Sequence, residues 1–243
     1  MEKWEGKVAL VTGASSGIGK AIVKELVKHG VTVVGMGRRE ALLRRLADEL
    51  NSSNKGKFYP KTVDINNEAD VMEVITKINQ KLGGVDILIN SAGLYYHDAH
   101  LSTGSTNEWQ KQLDLEILSL LIVSREVIKS MRRNATDGII INVNSVAGHY
   151  IPENISPMHT VVKHAMTVIG ETLRREMAAN KFSIRVASIS PGFTASEKYQ
   201  SKNHEDIPKL ETSDVARGVV YILSQPLHVQ IEELTLRRVG SEA

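Results

Sequence analysis

The chain has 243 residues, 42% of them hydrophobic and 24% charged, with a formal net charge of +2 and no cysteine. That length suits one α/β domain or two small ones and is ample for a sizeable core. The small net charge gives no global argument for a nucleic acid or an acidic membrane surface as partner, and the missing thiols exclude disulfides, thiolate catalysis and cysteine-ligated metals.

The opening MEKWEGK runs straight into an apolar strand, so no signal peptide is expected. No apolar run approaches the ~18 residues of a membrane span. A cytoplasmic protein without a metal centre is the expectation.

Residues 7–12 (KVALVT) form the first strand, and TGASSGIG (12–19) turns it into a helix with Ile18, Ile22 and Leu26 on one face. A strand, glycine-rich turn and helix in this order is the setting of a dinucleotide site. Glycines permit the tight turn and close approach to a pyrophosphate, which sits at the helix N-terminus. The spacing is G-x-x-x-G-x-G, and a lone glycine triplet also fits an ordinary strand–helix corner. A second strand follows at 31–36 (VTVVGM), then a charged, leucine-bearing helix at about 38–50. A third strand at 58–63 ends at Asp64. An amphipathic helix at 67–82 carries Val71, Val74, Ile75 and Ile78 on one face and stops at Gly83-Gly84. The fourth strand is 85–90 (VDILIN), followed by Ser91-Ala92-Gly93. A long helix is predicted over about 107–133 and a fifth strand at 138–143. Ser156-Pro157 has the form of an N-cap with proline in the first turn and opens a helix to about 180. A sixth strand at 183–189, a helix at 212–223 and a seventh strand at 231–236 complete the chain.

Near-continuous apolar strands alternating with helices imply a parallel sheet covered on both faces, here a Rossmann-type doubly wound sheet of seven strands in a single domain over 1–243. Residues 193–211 lack strong periodicity. They follow a strand's C-terminal end, where ligands bind in open α/β sheets, so they read either as a substrate flap or as a surface loop.

TGASSGIG, Asp64, NSAG (90–93), Ser145, Lys163 and Pro191-Gly192 resemble, in order and spacing, the short-chain dehydrogenase/reductases. The KHA segment (163–165) and the ending HVQIEELTLRRVG (228–240) are similar to the farnesol dehydrogenase-like and dehydrogenase/reductase member 11-like subgroup. The resemblance implies a coenzyme site made by Gly13, Ser15, Ser16, Gly17, Ile18, Gly19, Asp64, Ile65, Asn90, Ala92, Gly93, Lys163, Pro191 and Gly192. Asp64 would contact adenine, or simply cap its strand. After the second strand the sequence reads GMGRRE, with no carboxylate to grip a ribose 2′-hydroxyl. Guanidinium groups there suit a 2′-phosphate, so NADP(H) is expected with Arg38, ahead of Arg39, as its ligand. Both arginines would also serve as solvated residues starting a helix.

The family uses asparagine, serine, tyrosine and lysine in catalysis. Ser145 and Lys163 match. The resemblance sets His159 at the tyrosine position and Glu116 at the asparagine position. Histidine can move protons near neutral pH, but its ring nitrogen reaches about 2 Å less far than a tyrosine hydroxyl, against a hydrogen-bond window of ~2.6–3.2 Å. Glu116 near Lys163 would favour an ion pair. Tyr150 is a weaker substitute donor. Ser145, His159 and Glu116 also have the composition of a Ser–His–acid triad, without a nucleophile elbow. Leu94, Tyr95, Tyr96, His149, Tyr150 and Phe193 suggest an apolar, partly aromatic substrate pocket. The resemblance therefore implies an NADP(H)-dependent oxidoreductase for a small hydrophobic alcohol or carbonyl, farnesol-like or steroid-like and slow. The alternative is an impaired coenzyme binder acting as sensor or subunit partner. A homodimer or homotetramer through the two long helices is implied in the same way.

Overall fold

The computed structural model describes residues 1–52, 54–153, 155–196 and 208–241. A parallel seven-stranded sheet runs through the molecule. Its strands are β1 (Val8–Thr12), β2 (Thr32–Gly37), β3 (Phe58–Thr62), β4 (Ile87–Asn90), β5 (Ile139–Val143), β6 (Arg185–Pro191) and, last in sequence, β9 (Glu233–Leu236), in the spatial order β3-β2-β1-β4-β5-β6-β9. The order reverses between β1 and β4, which pair through Ala9↔Ile87 and Val11↔Ile89. That reversal opens a crevice beyond the strands' C-terminal ends.

The strands are buried on both faces, so their apolar runs do not alternate with polar residues. The side chains still take turns between two cores. Ala9, Val11, Ile87, Ile89, Ile141 and Ile189 face α1 (Gly17–Lys28), α2 (Glu40–Asn51) and α7 (Thr212–Ser224). Leu10, Leu88, Ile140 and Val186 face α3 (Glu68–Leu82), α5 (Ser119–Arg133) and α6 (Pro157–Ala179). Each such aliphatic side chain, fully withdrawn from water, contributes roughly 1.5–3 kcal/mol before its ordering entropy is subtracted.

The elements follow the predicted order, with shifted edges. The fourth strand begins two residues later, the sixth covers Arg185–Pro191, and the last begins at Glu233. Asn67 caps α3, its side chain accepting from the backbone of Ala69 and Asp70. Ser156 stands at the N-cap of α6 with Pro157 in the first turn, but its hydroxyl makes no capping bond. The predicted single helix over 107–133 is instead α4 (Thr106–Leu113), a π turn at Asp114–Leu118, and α5. In that turn the Ser119 N–H reaches Asp114 O while its hydroxyl donates to Leu115 O at 2.5 Å. A serine that takes a carbonyl of the preceding turn competes with the regular ladder, and π bulges collect at functional sites. This one carries Glu116.

Of the 193–211 segment, residues 197–207 lie outside the described residues. Its ends form a two-residue parallel pair, β7 (Thr194–Ala195) with β8 (Leu210–Glu211).

Candidate active site

A cavity of about 520 Å³ opens at the C-terminal ends of the central strands. The glycine turn forms its floor. Gly13 has φ +69°, and a Cβ there would lie 2.9 Å from both Ala92 Cα and Ser91 O. At Gly19 a Cβ would meet Gly13 O at 2.4 Å. Both positions therefore need glycine so that the turn can fold on itself and against the end of β4. Gly17 differs. Its φ is +52°, and the nearest atom to an added Cβ is Ser196 Cβ at 3.5 Å. The space above it opens into the cavity, at the first residue of α1, where backbone N–H groups lack helical partners. Thr12, which the glycine pattern alone does not single out, ties the two central strand ends: its hydroxyl oxygen accepts from Ser91 N and Ala92 N, each at 3.0 Å.

Ser15, Ser16, Ile18, Arg38, Arg39, Asp64, Ile65, Ala92, Gly93, Pro191 and Gly192 all line this cavity. Arg39 bonds the glycine turn: its Nε donates to Ser15 Oγ at 3.2 Å and its Nη2 to Ser16 Oγ. Asp64 lines the cavity while its Oδ1 accepts from Asn66 N at 3.1 Å. Asn90 is absent from the lining. It is buried behind the trough, where its amide donates to Ser124 Oγ at 3.1 Å and Asn142 Oδ1 at 2.9 Å.

At the other end, Ser145, His159, Lys163 and Glu116 converge on the same cavity from four places: the end of β5, the first turn of α6, its second turn, and the π turn. Ser145 Oγ accepts from Ala147 N at 3.1 Å as the N-cap of the 3₁₀ turn Val146–Gly148. A hydroxyl in that role keeps its own hydrogen to donate. His159 and Lys163, four residues apart, share one face of α6. Lys163 Nζ lies 3.0 Å from Glu116 Oε2, 3.4 Å from Val143 O and 3.3 Å from Met166 Sδ. An ammonium has three hydrogens, and three acceptors surround this one. Glu116 Oε1 accepts from Leu94 N at 3.2 Å. Both members of the pair are buried, Glu116 at 2% exposure and Lys163 at 6%. Removing one partner of such a pair leaves an uncompensated charge, a loss of ~3–5 kcal/mol.

Leu94, Tyr95 and Phe193 line the cavity as expected, joined by Ile155. Tyr96, His149 and Tyr150 do not. Tyr96 packs on the small core of Ala99, Leu120, Met158, Val162 and Met166. His149 Nε2 lies 2.9 Å from Ser190 Oγ and 3.5 Å from Glu233 Oε2, and the Tyr150 ring lies under the Arg237 guanidinium at 4.9 Å. These two residues pin the loop after β5 to β9. Periodicity could not distinguish them from pocket residues, because the loop's direction depends on β9.

The short-chain dehydrogenase family model matches residues 7–207. A farnesol dehydrogenase from Aedes aegypti is 37% identical over 246 residues, covering all of both chains. The human dehydrogenase/reductase SDR family member 11 is 38% identical, covering 98% of this chain and 96% of its own. Among solved structures, a closed serine dehydrogenase complexed with NADP+ superposes with a TM-score of 0.84 at 25% identity, over 94% of each chain. ElxO with NADP bound gives 0.83 at 26%, over 95% of this chain and 97% of that one. Among the described residues no helix is long and apolar enough to cross a membrane.

Proposed function

The chain belongs to the short-chain dehydrogenase family of oxidoreductases, and from that premise we propose that it interconverts a small, uncharged, apolar alcohol and its carbonyl with NADP(H). One observation carries the reading: the open cradle over Gly17 and the Ser145–His159–Lys163 cluster are the two ends of one cavity. The residues present fit the coenzyme. The cradle at the start of α1 suits a pyrophosphate. Arg38 and Arg39 beside it suit a 2′-phosphate, and the trough of Ala92, Gly93, Pro191 and Gly192 leads to the cluster. When bound, NADP(H) supplies or accepts the hydride.

The chain's own groups supply the rest. Ser145 holds the substrate oxygen with its hydroxyl hydrogen. His159 holds the proton that this oxygen gains or loses, in place of the family's tyrosine. The walls made by Leu94, Tyr95, Ile155 and Phe193 carry no charge, and the Lys163 ammonium is matched by Glu116. Among the described residues no further cation lines that end of the cavity to hold a substrate carboxylate, which favours farnesol-like over amino-acid-like substrates. The three acceptors around Lys163 Nζ favour a second reading, that of a slow or impaired member whose lysine is held away from the coenzyme ribose.

Single-turnover hydride transfer from NADPH to a panel of apolar and acidic carbonyls tests the first reading, with coenzyme affinity measured alongside by fluorescence titration. Transfer to apolar carbonyls is expected, with NADPH bound far more tightly than NADH. The Arg38→Ala/Arg39→Ala double variant should lose most of that preference, since a charge-assisted hydrogen bond is worth ~1.5–3 kcal/mol. Tight NADPH binding without any transfer would leave the second reading standing.

A further inference from the structure

Tyr95 stands in the cavity wall, yet its contacts are those of a support. Its ring meets the His159 imidazole edge to face, with centroids 5.2 Å apart and planes at 73°. On another side it meets His97 in the same manner, at 4.9 Å and 86°. Its hydroxyl oxygen accepts from the backbone N–H of Ser156 at 3.1 Å. Ser156 is the N-cap residue of α6, three residues before His159, and its own side chain does not cap the helix. The phenol therefore holds the helix end that carries the imidazole and also packs on the imidazole itself. The neighbouring Leu94 N–H holds Glu116, and Glu116 holds Lys163. Two consecutive residues of the loop after β4 thus grip His159 and Lys163, one turn apart on α6.

A first-turn position needs such a grip. Helix ends fray, and a side chain that must meet a proton within a few tenths of an ångström requires a fixed rotamer. Edge-to-face aromatic pairs are worth ~0.5–1.5 kcal/mol beyond their burial, enough to favour one rotamer by about twofold to thirteenfold. We propose that Tyr95 is the positioning residue of His159: its ring fixes the imidazole orientation and its hydroxyl fixes the ring on the N-cap of α6. The assignment rests on the reading of His159 as the proton-handling group.

The test uses the full chain with ¹³C-labelled histidine. The chain has eight histidines, and the His159 signal is identified by its loss in His159→Gln. In Tyr95→Leu, which removes ring and hydroxyl, the His159 signal should move or broaden. Its kcat should fall about tenfold or more, in line with the cost of a misplaced group, while NADPH affinity stays within about twofold. Tyr95→Phe keeps the ring and should retain most of the signal position and most of the rate. An unmoved His159 signal in Tyr95→Leu overturns the proposal whether or not the protein turns over. So does a Tyr95→Phe variant whose His159 signal and rate both equal those of the unmodified protein, because the bond from Ser156 N would then fix nothing. A moved signal in a protein that shows no hydride transfer supports the positioning and sinks the oxidoreductase reading instead.

Discussion

At the scale of single residues, the proposed chemistry turns on the His159 imidazole and on the Glu116 carboxylate that faces Lys163. His159→Tyr alone should raise turnover only partly while Glu116 Oε2 stays 3.0 Å from Lys163 Nζ. A positioned general acid is typically worth ~10²–10⁴ in rate. Adding Glu116→Asn should raise the rate by more than the product of the single effects, as expected for residues sharing one network. The same pair governs stability. Glu116→Leu should lose ~3–5 kcal/mol in denaturant titrations because the buried ammonium is left without its carboxylate. Glu116→Asn should lose less, since an amide oxygen still accepts. If His159→Tyr instead lowers an already fast rate, histidine is the working acid and base.

At the scale of elements, α5 shows how a helix seated on the core manages a buried carboxylate. Glu126 is buried on α5, with Arg125 Nε at 2.7 Å and Lys129 Nζ at 2.8 Å. Arg125 also reaches Glu68 at the start of α3, tying the two helices. Burial alone would raise the Glu126 carboxyl, but the hydrogen bonds from Lys129 and Arg125 outweigh it and hold it below its usual value of 4.5. A carboxyl depressed in the fold contributes stability above its unfolded pKa and loses it as pH falls through the folded value. Glu126→Gln should therefore lower Tm at pH 7, and the gap to the unmodified protein should close as pH drops below about 4. The arginine and lysine are half exposed, so solvent screening limits the effect to about 1 kcal/mol. That corresponds to roughly 2–4 °C for a chain of this size. An equal gap at pH 7 and pH 3 would mean that packing, not charge, accounts for Glu126.

At the scale of the whole molecule, the cavity joins groups from both halves of the sheet, so its occupation should be felt at the separate β7–β8 pair beside it. Phe193, Thr194 and Ser196 line it, and Phe193 O accepts from Leu210 N at 2.8 Å where β7 meets β8. Coenzyme binding is expected to slow hydrogen exchange at Leu210, the amide of that bridge, along with the amides of the glycine turn. Exchange at Leu210 that is equally slow with and without NADPH would make the bridge a fixed part of the fold.

The sequence by itself determined the order of the elements and the glycine floor of the cavity. Burial on both faces makes parallel strands read as apolar runs, and a turn with no room for a Cβ at Gly13 and Gly19 admits only glycine. Those are local constraints, written in contiguous residues. The convergence of Ser145, Lys163, His159 and Glu116 was readable through resemblance, because their spacing matches a known pattern. What only the tertiary structure decided depends on contacts between segments distant in the chain. Asn90 turned from the trough into the core because Ser124 and Asn142 are there to bond it. His149 and Tyr150 left the pocket because β9 brings Glu233 and Arg237 beside them. Glu116 came to face Lys163, and Tyr95 came to rest on Ser156 at the start of α6, because the fold brings α6 against the π turn and the loop after β4. No window of local sequence contains both partners of these contacts.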